Sequence, residues 1–169
     1  MILSKQFLNE AVQKNVIQHS KSVKFSSENK NEYDVFVSYS LNDVDYAKNI
    51  VQLLEQCNYS AYIDIFDDTL DRTNVNSETA KKLIKKMNKC KGLLYLHSPS
   101  ASVSKWCPWE LGYFSGAKNM RCAKLPLTEK KGDQNPKQEY LDMYYYVDFD
   151  RDNSGKDEFW INDSKSNNY

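Results

Sequence analysis

The chain has 169 residues, a length that suits one domain with a sizeable core and is short for two. Its 23 basic and 23 acidic side chains give zero net charge, which leaves no electrostatic basis for nucleic acid or an anionic membrane surface as a partner. The apolar stretches are strand-length, well short of the roughly 18 residues of a membrane span, and no signal-peptide pattern opens the chain, so we expect a cytoplasmic protein.

Residues 1–32 are predicted to form an amphipathic helix followed by a polar linker. Apolar side chains recur at helical spacing from Leu3 to Val16, behind Ser4 as a candidate cap. Residues 20–32 lose this periodicity and are rich in Ser, Lys, Asn and Glu, which is typical of a linker. Two interpretations of the helix stay open: it packs back on its own domain, or it binds a partner.

From Tyr33 onward the pattern alternates between strands and helices. The predicted strands cover residues 33–39, 60–65, 92–98, 121–127 and 144–147, and the predicted helices cover residues 43–56, 77–89 and 106–116. Such alternation indicates right-handed crossovers and a parallel sheet covered on both faces. The predicted fold class is a doubly wound α/β domain with a mainly parallel five-stranded sheet and an extra N-terminal helix. This domain is expected to cover residues 33–148, and residues 149–169 are expected to form a polar tail whose aromatic patch docks on it.

A carboxylate follows the third predicted strand at the start of a helix. In the segment Ser104-Lys105-Trp106-Cys107-Pro108-Trp109-Glu110-Leu111, the proline is typical of a first helical turn. Trp106 and Glu110 then lie four residues apart on one face, which suits a cationic, ring-bearing substrate. In sheets of strand order 2-1-3-4-5, ligands bind between the first and third strands, beyond their carboxyl ends. Residues 38–43 and 98–110 are expected to line that crevice.

Several common chemistries lack their motifs in this sequence. There is no Gly-x-Gly-x-x-Gly after the first strand, no P-loop and no Gly-x-Ser-x-Gly elbow. The four cysteines include no Cys-x-x-Cys pair and there are only two histidines, so no metal site is predicted. A thiol nucleophile at Cys107 with His97 as its base is an alternative that lacks a third, orienting group.

Two segments resemble those of Toll/interleukin receptor (TIR) domains. Tyr33-Asp34-Val35-Phe36-Val37-Ser38-Tyr39 resembles their first box, and Ser104-x-Trp106-Cys107-x-x-Glu110-Leu111 resembles their Ser-x-Trp-Cys-x-x-Glu-Leu segment. Both occur in the family's order, and the resemblance covers about residues 33–147. It implies the flavodoxin-like TIR fold and a stand-alone bacterial type, similar to the TIR component of antiphage systems such as Thoeris.

The resemblance also implies an activity and a set of site residues. Many bacterial, plant and some animal TIR domains cleave NAD+ at the nicotinamide–ribose bond, giving nicotinamide and ADP-ribose or a cyclic isomer. The family's catalytic glutamate corresponds to Glu110. The candidate substrate-binding residues are Ser38, Tyr39, Ser40, Asn42, Asp64 and Trp106. NAD+ is then a substrate and no cofactor is expected. The implied partners are other copies of the domain and a downstream effector protein that senses the product.

This chemistry needs only one carboxylate. Ordinary glycosidases use two because the leaving oxygen must be protonated, whereas nicotinamide leaves as a neutral molecule from a cationic ring. Glu110 would stabilise the positive charge that develops on the ribose, and Trp106 would stack on the nicotinamide. Because the sequence shows no second acid or histidine near the site to activate water, we favour cyclisation over hydrolysis.

The loop after the second strand, residues 66–76, corresponds to the family's BB loop, which contacts a neighbouring domain in active assemblies. Many relatives carry an Arg or Pro before a Gly there, whereas this loop contains neither Gly nor Pro. The mode of assembly therefore stays open. Two other functions also stay open: a non-catalytic TIR scaffold, and another nucleotide-handling α/β enzyme such as a deoxyribosyltransferase-like one.

Overall fold

Residues 3–10, 31–67, 69–70, 76–130, 133–134, 137–151 and 157–162 are described by a computed structural model. The strands are β1 (Leu3–Ser4), β2 (Tyr33–Ser38), β3 (Ala61–Tyr62), β4 (Cys90–His97), β5 (Cys122–Thr128), β6 (Tyr145–Arg151) and β7 (Asp157–Asn162). The helices are α1 (described over residues 5–10), α2 (Val44–Gln56), α3 (Ser77–Asn88), α4 (Pro99–Ser102) and α5 (Trp106–Ala117). Short 3-10 helices cover Leu41–Asp43, Asp64–Phe66 and Glu139–Met143. No helix within these ranges combines the length and apolar character that crossing a membrane requires.

The sheet has the predicted doubly wound order. Its neighbouring strands run β3-β2-β4-β5-β6, and every pairing in this series is parallel. In terms of the five predicted strands this is the order 2-1-3-4-5, so the prediction of the fold class is confirmed. The winding direction reverses between β2 and β4, and ligand sites of such sheets lie at the carboxyl ends of these strands.

Two apolar clusters cover the two faces of the sheet. The α2 cluster includes Ile50 of α2 and Leu94 and Leu96 of β4. The α5 cluster includes Leu111 of α5 and Tyr95 of β4, together with residues of α3. Because successive side chains of a strand point to opposite faces, β4 serves both clusters in alternation. A strand residue that belongs to the α5 cluster therefore points toward α5, and the next residue of the strand points toward α2.

The second strand is shorter than its pattern indicated. The prediction placed a strand over residues 60–65, whereas β3 covers only Ala61–Tyr62 and the 3-10 helix Asp64–Phe66 follows at once. The Asp67 N–H donates to the Asp64 carbonyl at 2.9 Å, which closes this turn and ends the strand. The strand prediction is therefore wrong beyond Tyr62, because local turn hydrogen bonds override the β propensity of the sequence.

The N-terminal segment packs on its own domain over the part that is described. β1 pairs in parallel with the end of β5, where Leu3 lies opposite Leu127. The chain then turns into α1, whose Ser4 Oγ accepts a hydrogen bond from the Phe7 N–H at 3.2 Å, as the predicted cap requires. Leu8 is fully buried in the α2 cluster. The rest of the predicted helix and the linker lie outside the described residues.

The predicted polar tail contains a strand. β7 pairs antiparallel with β6, and Phe159 packs against the α2 cluster. Ile161, by contrast, is 69% exposed. The sequence did not predict this strand because charged residues interrupt its apolar pattern. An outer strand tolerates them, since it needs an apolar contact on only one face. The remainder of the predicted tail lies outside the described residues.

Candidate active site

A buried carboxylate meets a strand-end hydroxyl where the winding reverses. Glu110 of α5 is only 1% exposed. Ser38 ends β2, is fully buried, and lies opposite Tyr95 in the register of β2 and β4. The Ser38 Oγ donates a hydrogen bond to Glu110 Oε2 at 2.6 Å. This bond fixes the carboxylate at the carboxyl ends of the two central strands.

The sequence around the start of α5 explains how Glu110 reaches this place. The Ser104 Oγ accepts hydrogen bonds from the N–H groups of Trp106 and Cys107 at 3.2 and 3.3 Å, which satisfies donors of the first turn. Pro108 stands in that turn, where its missing N–H costs nothing. Helical spacing then turns Cys107 into the α5 cluster, where it is fully buried among apolar side chains, as is typical of a structural cysteine.

Trp106 begins α5, one helical turn before Glu110. Its ring is partly buried against the α5 cluster and meets Trp109 edge to face, with ring centroids 5.3 Å apart. The Trp106 Nε1 is buried and has no hydrogen-bond partner among the described residues. A buried donor of this kind is costly unless an acceptor satisfies it.

The other residues selected from the sequence fall on both sides of the sheet. Ser40 is buried and precedes the 3-10 helix Leu41–Asp43, and Asp64 is buried at the carboxyl end of β3. Asn42 is exposed. Tyr39 is fully buried in the α2 cluster, on the face away from α5, because it is one residue beyond Ser38 and the side-chain period is two. The structure therefore brings Ser38 and Glu110 together, places Trp106 one helical turn from Glu110, and puts the Tyr39 side chain on the opposite face.

A second buried acid joins the loops that follow β2 and β4. Asp43 is 1% exposed, and its Oδ2 accepts a hydrogen bond from the fully buried Ser98 Oγ. Ser98 precedes α4, and its Oγ also accepts from the Ala101 N–H at 3.0 Å. Both loops flank the winding reversal, so this bond fixes the spacing between them.

Two aromatic residues of β4 were not selected from the sequence as substrate contacts. Tyr95 is fully buried in the α5 cluster, and burial, together with nearby acidic groups that include Glu110, raises its pKa. His97 stacks on Tyr95 with ring centroids 6.1 Å apart. A histidine therefore does lie at this end of the sheet, contrary to the expectation that no histidine is near. Leu96 is buried in the α2 cluster, and successive side chains of a strand point to opposite faces, so this alternation in the sequence could have placed His97 on the α5 face.

In the part of the chain that the structure describes, no three or more His, Cys, Asp or Glu side chains are placed to hold one metal ion.

A parallel sheet of order 2-1-3-4-5 defines a doubly wound, flavodoxin-like α/β domain, and a buried glutamate lies at its winding reversal. The sequence model of the TIR-domain family matches residues 35–160, and the chain belongs to this family. The family recognised from the two sequence segments is thereby confirmed.

Two curated bacterial proteins are similar to this chain. The first is "Probable 3' cyclic ADP-D-ribose synthase ThsB'" of Bacillus cereus (strain MSX-D12), 36% identical over 166 residues, which cover 96% of this chain and 83% of that protein. The second is "Putative cyclic ADP-D-ribose synthase TIR2" of Cytobacillus dafuensis, 30% identical over 111 residues, which cover 64% of this chain and 29% of that protein.

Among solved structures, the TIR domain of the Toll-related receptor TRR-2 from Hydra magnipapillata is similar to this chain. The TM-score is 0.51 at 17% sequence identity, over 68% of this chain and 82% of that chain. This likeness concerns the fold alone.

Proposed function

We propose that this protein cleaves NAD+ at the nicotinamide–ribose bond, releases nicotinamide, and forms a cyclic ADP-ribose isomer, with linear ADP-ribose as the hydrolytic alternative. The observation that carries the proposal is the buried Glu110, held by Ser38 at 2.6 Å where the winding of the sheet reverses. Two similar proteins are named as cyclic ADP-D-ribose synthases, which supports the same reaction here. The product acts as a cytoplasmic signal in bacterial antiphage defence and is sensed by an effector protein.

The reaction needs a negative charge close to the ribose. The bond between the ribose carbon and the nicotinamide nitrogen breaks, and its electron pair stays on that nitrogen, so nicotinamide leaves as a neutral molecule. The carboxylate of Glu110 stabilises the positive charge that builds on the ribose. An internal nucleophile of the same molecule, or water, then attacks the ribose carbon, and the attacking group loses one proton.

The surrounding side chains orient the substrate. Because Ser38 donates to Oε2, the carboxylate is held in one orientation. Trp106 lies one turn away along α5, so its ring forms a wall for the nicotinamide and its Nε1–H binds an acceptor. Ser40 and Asp64 are buried polar groups near the same edge and contact the rest of the dinucleotide. Asn42, exposed in the loop after β2, lies at the rim. The Tyr39 side chain packs in the α2 cluster, so a contact from Tyr39 to the substrate would come from its backbone.

The first test measures nicotinamide release from NAD+ by the full chain, with products separated by chromatography and identified by mass spectrometry. Glu110→Gln keeps the shape and removes the charge, so we expect a loss of about 100-fold or more in turnover. Glu78→Gln makes the same change at a carboxylate whose side chain is 77% exposed on α3, and we expect it to leave turnover unchanged.

Full turnover by the Glu110→Gln protein would contradict the proposed mechanism. Absence of turnover in the unchanged protein, even when it is concentrated with a crowding agent, would favour the non-catalytic scaffold. Nucleosides are tested beside NAD+, because cleavage of these alone would favour the deoxyribosyltransferase-like alternative.

Self-association through TIR–TIR contacts accompanies this activity in our proposal. Val103, between α4 and α5, is 84% exposed, and Met143 is 60% exposed. The proposal rests on the family's TIR–TIR contacts, and these two exposed apolar side chains are candidate contact positions. Light scattering of the full chain, with and without NAD+, measures the association directly, and a constant monomer mass during turnover would contradict it.

A further inference from the structure

The N-terminal segment reaches the loops that carry the proposed site. Pairing of β1 with the end of β5 places Lys5 beside the carboxyl edge of the sheet. The Lys5 Nζ lies 3.1 Å from Asp43 Oδ1 and donates a hydrogen bond to Glu129 Oε1. The Lys5 side chain is only 12% exposed and that of Asp43 is 1% exposed. This contact therefore joins the start of the chain to the loop after β2 in a region largely shielded from water.

The contact continues into the loop after β4. One oxygen of Asp43 faces Lys5, and the other accepts the hydrogen bond from Ser98. Asp43 is also fixed by its own backbone, since its N–H donates to the Ser40 carbonyl at 2.8 Å. The series Lys5–Asp43–Ser98, which we call the brace, thus links three segments of the chain around the winding reversal.

The brace depends on the charge of Lys5. Burial alone lowers the pKa of Lys5, but its hydrogen bond with Glu129 and its ion pair with Asp43 outweigh this effect, so the pKa is raised. Lys5 therefore stays cationic at neutral pH. If Lys5 lost its charge, the buried Asp43 carboxylate would be left without a cation, which is strongly destabilising. Asp43 would then turn toward water and release Ser98.

We propose that Lys5 is a positioning residue of the active site: through Asp43 and Ser98 it holds the loops after β2 and β4 at the spacing that NAD+ binding requires. The inference rests on the proposed NAD+ activity and adds a part to it, because it assigns the segment before the domain a role in the site. The brace leaves the Ser38–Glu110 pair untouched and acts on the loops on either side of it.

The test compares Lys5→Met with Lys48→Met, which removes a lysine from an ion pair on α2 whose Asp45 partner is 83% exposed. Lys5→Met is expected to lower kcat/KM about tenfold, mainly through a higher KM, because displaced loops weaken the fit to the substrate. Lys48→Met is expected to match the unchanged protein. If Lys5 only stabilised the fold, Lys5→Met would lower the fraction of active protein, so the apparent kcat would fall while KM stayed constant.

A double variant separates loss of the brace from general damage. Adding Asp43→Asn to Lys5→Met removes the charge that needed a cation, and the amide oxygen still accepts the bond from Ser98. We expect KM to return most of the way to that of the unchanged protein. A double variant no better than Lys5→Met, or a Lys5→Met protein with unchanged KM, would overturn the positioning role.

Backbone hydrogen exchange tests the brace without any turnover. Lys5→Met is expected to speed exchange in residues 40–44 and 98–102, Lys48→Met is expected not to, and the double variant is expected to restore protection. Unchanged exchange in Lys5→Met would overturn the brace itself. If the unchanged protein does not turn over NAD+, the proposed function fails on that result alone, and the exchange data still decide whether Lys5 holds the two loops.

Discussion

Ser38 and Glu110 depend on each other at the scale of single residues. Glu110 is buried by the packing of α5, and a buried carboxylate needs donors to replace the water that it has lost. Ser38 supplies one donor from a separate strand, at 2.6 Å. The residue that follows the strand does not share this role, since Tyr39 packs in the α2 cluster on the opposite face.

Ser38→Ala is expected to weaken both activity and stability. The substitution removes the donor to Glu110 Oε2, which costs about 1–3 kcal/mol in unfolding free energy and about tenfold in turnover. Chemical denaturation and nicotinamide release measure the two effects. Ser38→Thr keeps the hydroxyl and should retain more activity than Ser38→Ala. Equal loss in both variants would show that shape at this position matters and the hydrogen bond does not.

At the scale of elements, the sequence predicted the helices and strands whose own pattern of apolar residues is enough to determine their structure. α2 and α3 are amphipathic, and β4 is a long apolar run, so each was found close to its observed bounds. β1 and β7 were missed and β3 was drawn too long, because hydrogen bonds to a neighbouring strand or turn decide these short elements. Glu110 and Trp106 could be selected as candidates because they lie in the first turns of a predicted helix, whereas selecting His97 requires knowledge of which face of β4 it lies on.

The turn after β3 is tied to α3 by one carboxylate, Asp67. Its Oδ2 accepts a hydrogen bond from the Tyr62 hydroxyl at 2.9 Å and lies 2.7 Å from the Lys86 Nζ. Partial burial raises the pKa of Asp67, but hydrogen bonds from Lys86, Thr69 and Tyr62 outweigh burial and bring it to about 2. The folded protein therefore binds a proton at Asp67 less readily than the unfolded chain does.

Asp67→Asn is expected to destabilise the protein at neutral pH and to have less effect in acid. Because the pKa is lower in the folded state, the carboxylate contributes stability above about pH 4, and this contribution is lost as the pH falls toward 2. After allowance for solvent screening we expect about 1 kcal/mol at pH 7. Denaturation of Asp67→Asn across this range measures the effect, with Asp142→Asn as a control, since the Asp142 side chain is 83% exposed. A difference that grows toward acid would contradict the assignment.

At the scale of the whole molecule, the described N-terminal residues and the α/β domain share one core. Leu8 of α1 is fully buried in the same cluster as residues of α2 and β4. β1 adds to the sheet that carries the proposed site, and Lys5 extends from its end. The segment that was predicted to lie outside the main domain thus contributes to the packing of that domain, and through Lys5 to the proposed site.

Leu8→Ala is expected to lower the stability of the entire domain. The cavity left in the α2 cluster costs about 2–5 kcal/mol, and the loss should appear as one cooperative transition at lower denaturant concentration. Leu41→Ala removes the same atoms at a position that is 44% exposed, so its effect should be much smaller. A separate early transition in Leu8→Ala would mean that the N-terminal segment unfolds on its own.

The paired indoles at the start of α5 give the protein an optical probe of its own site. Only three tryptophans occur in the chain, and two of them, Trp106 and Trp109, lie in the helical turn that precedes Glu110. Their rings are in contact, so a ligand that meets Trp106 changes the surroundings of both rings. If a dinucleotide binds in the crevice as proposed, we expect its binding to change the intrinsic fluorescence, which is measured without a label and before any bond is broken.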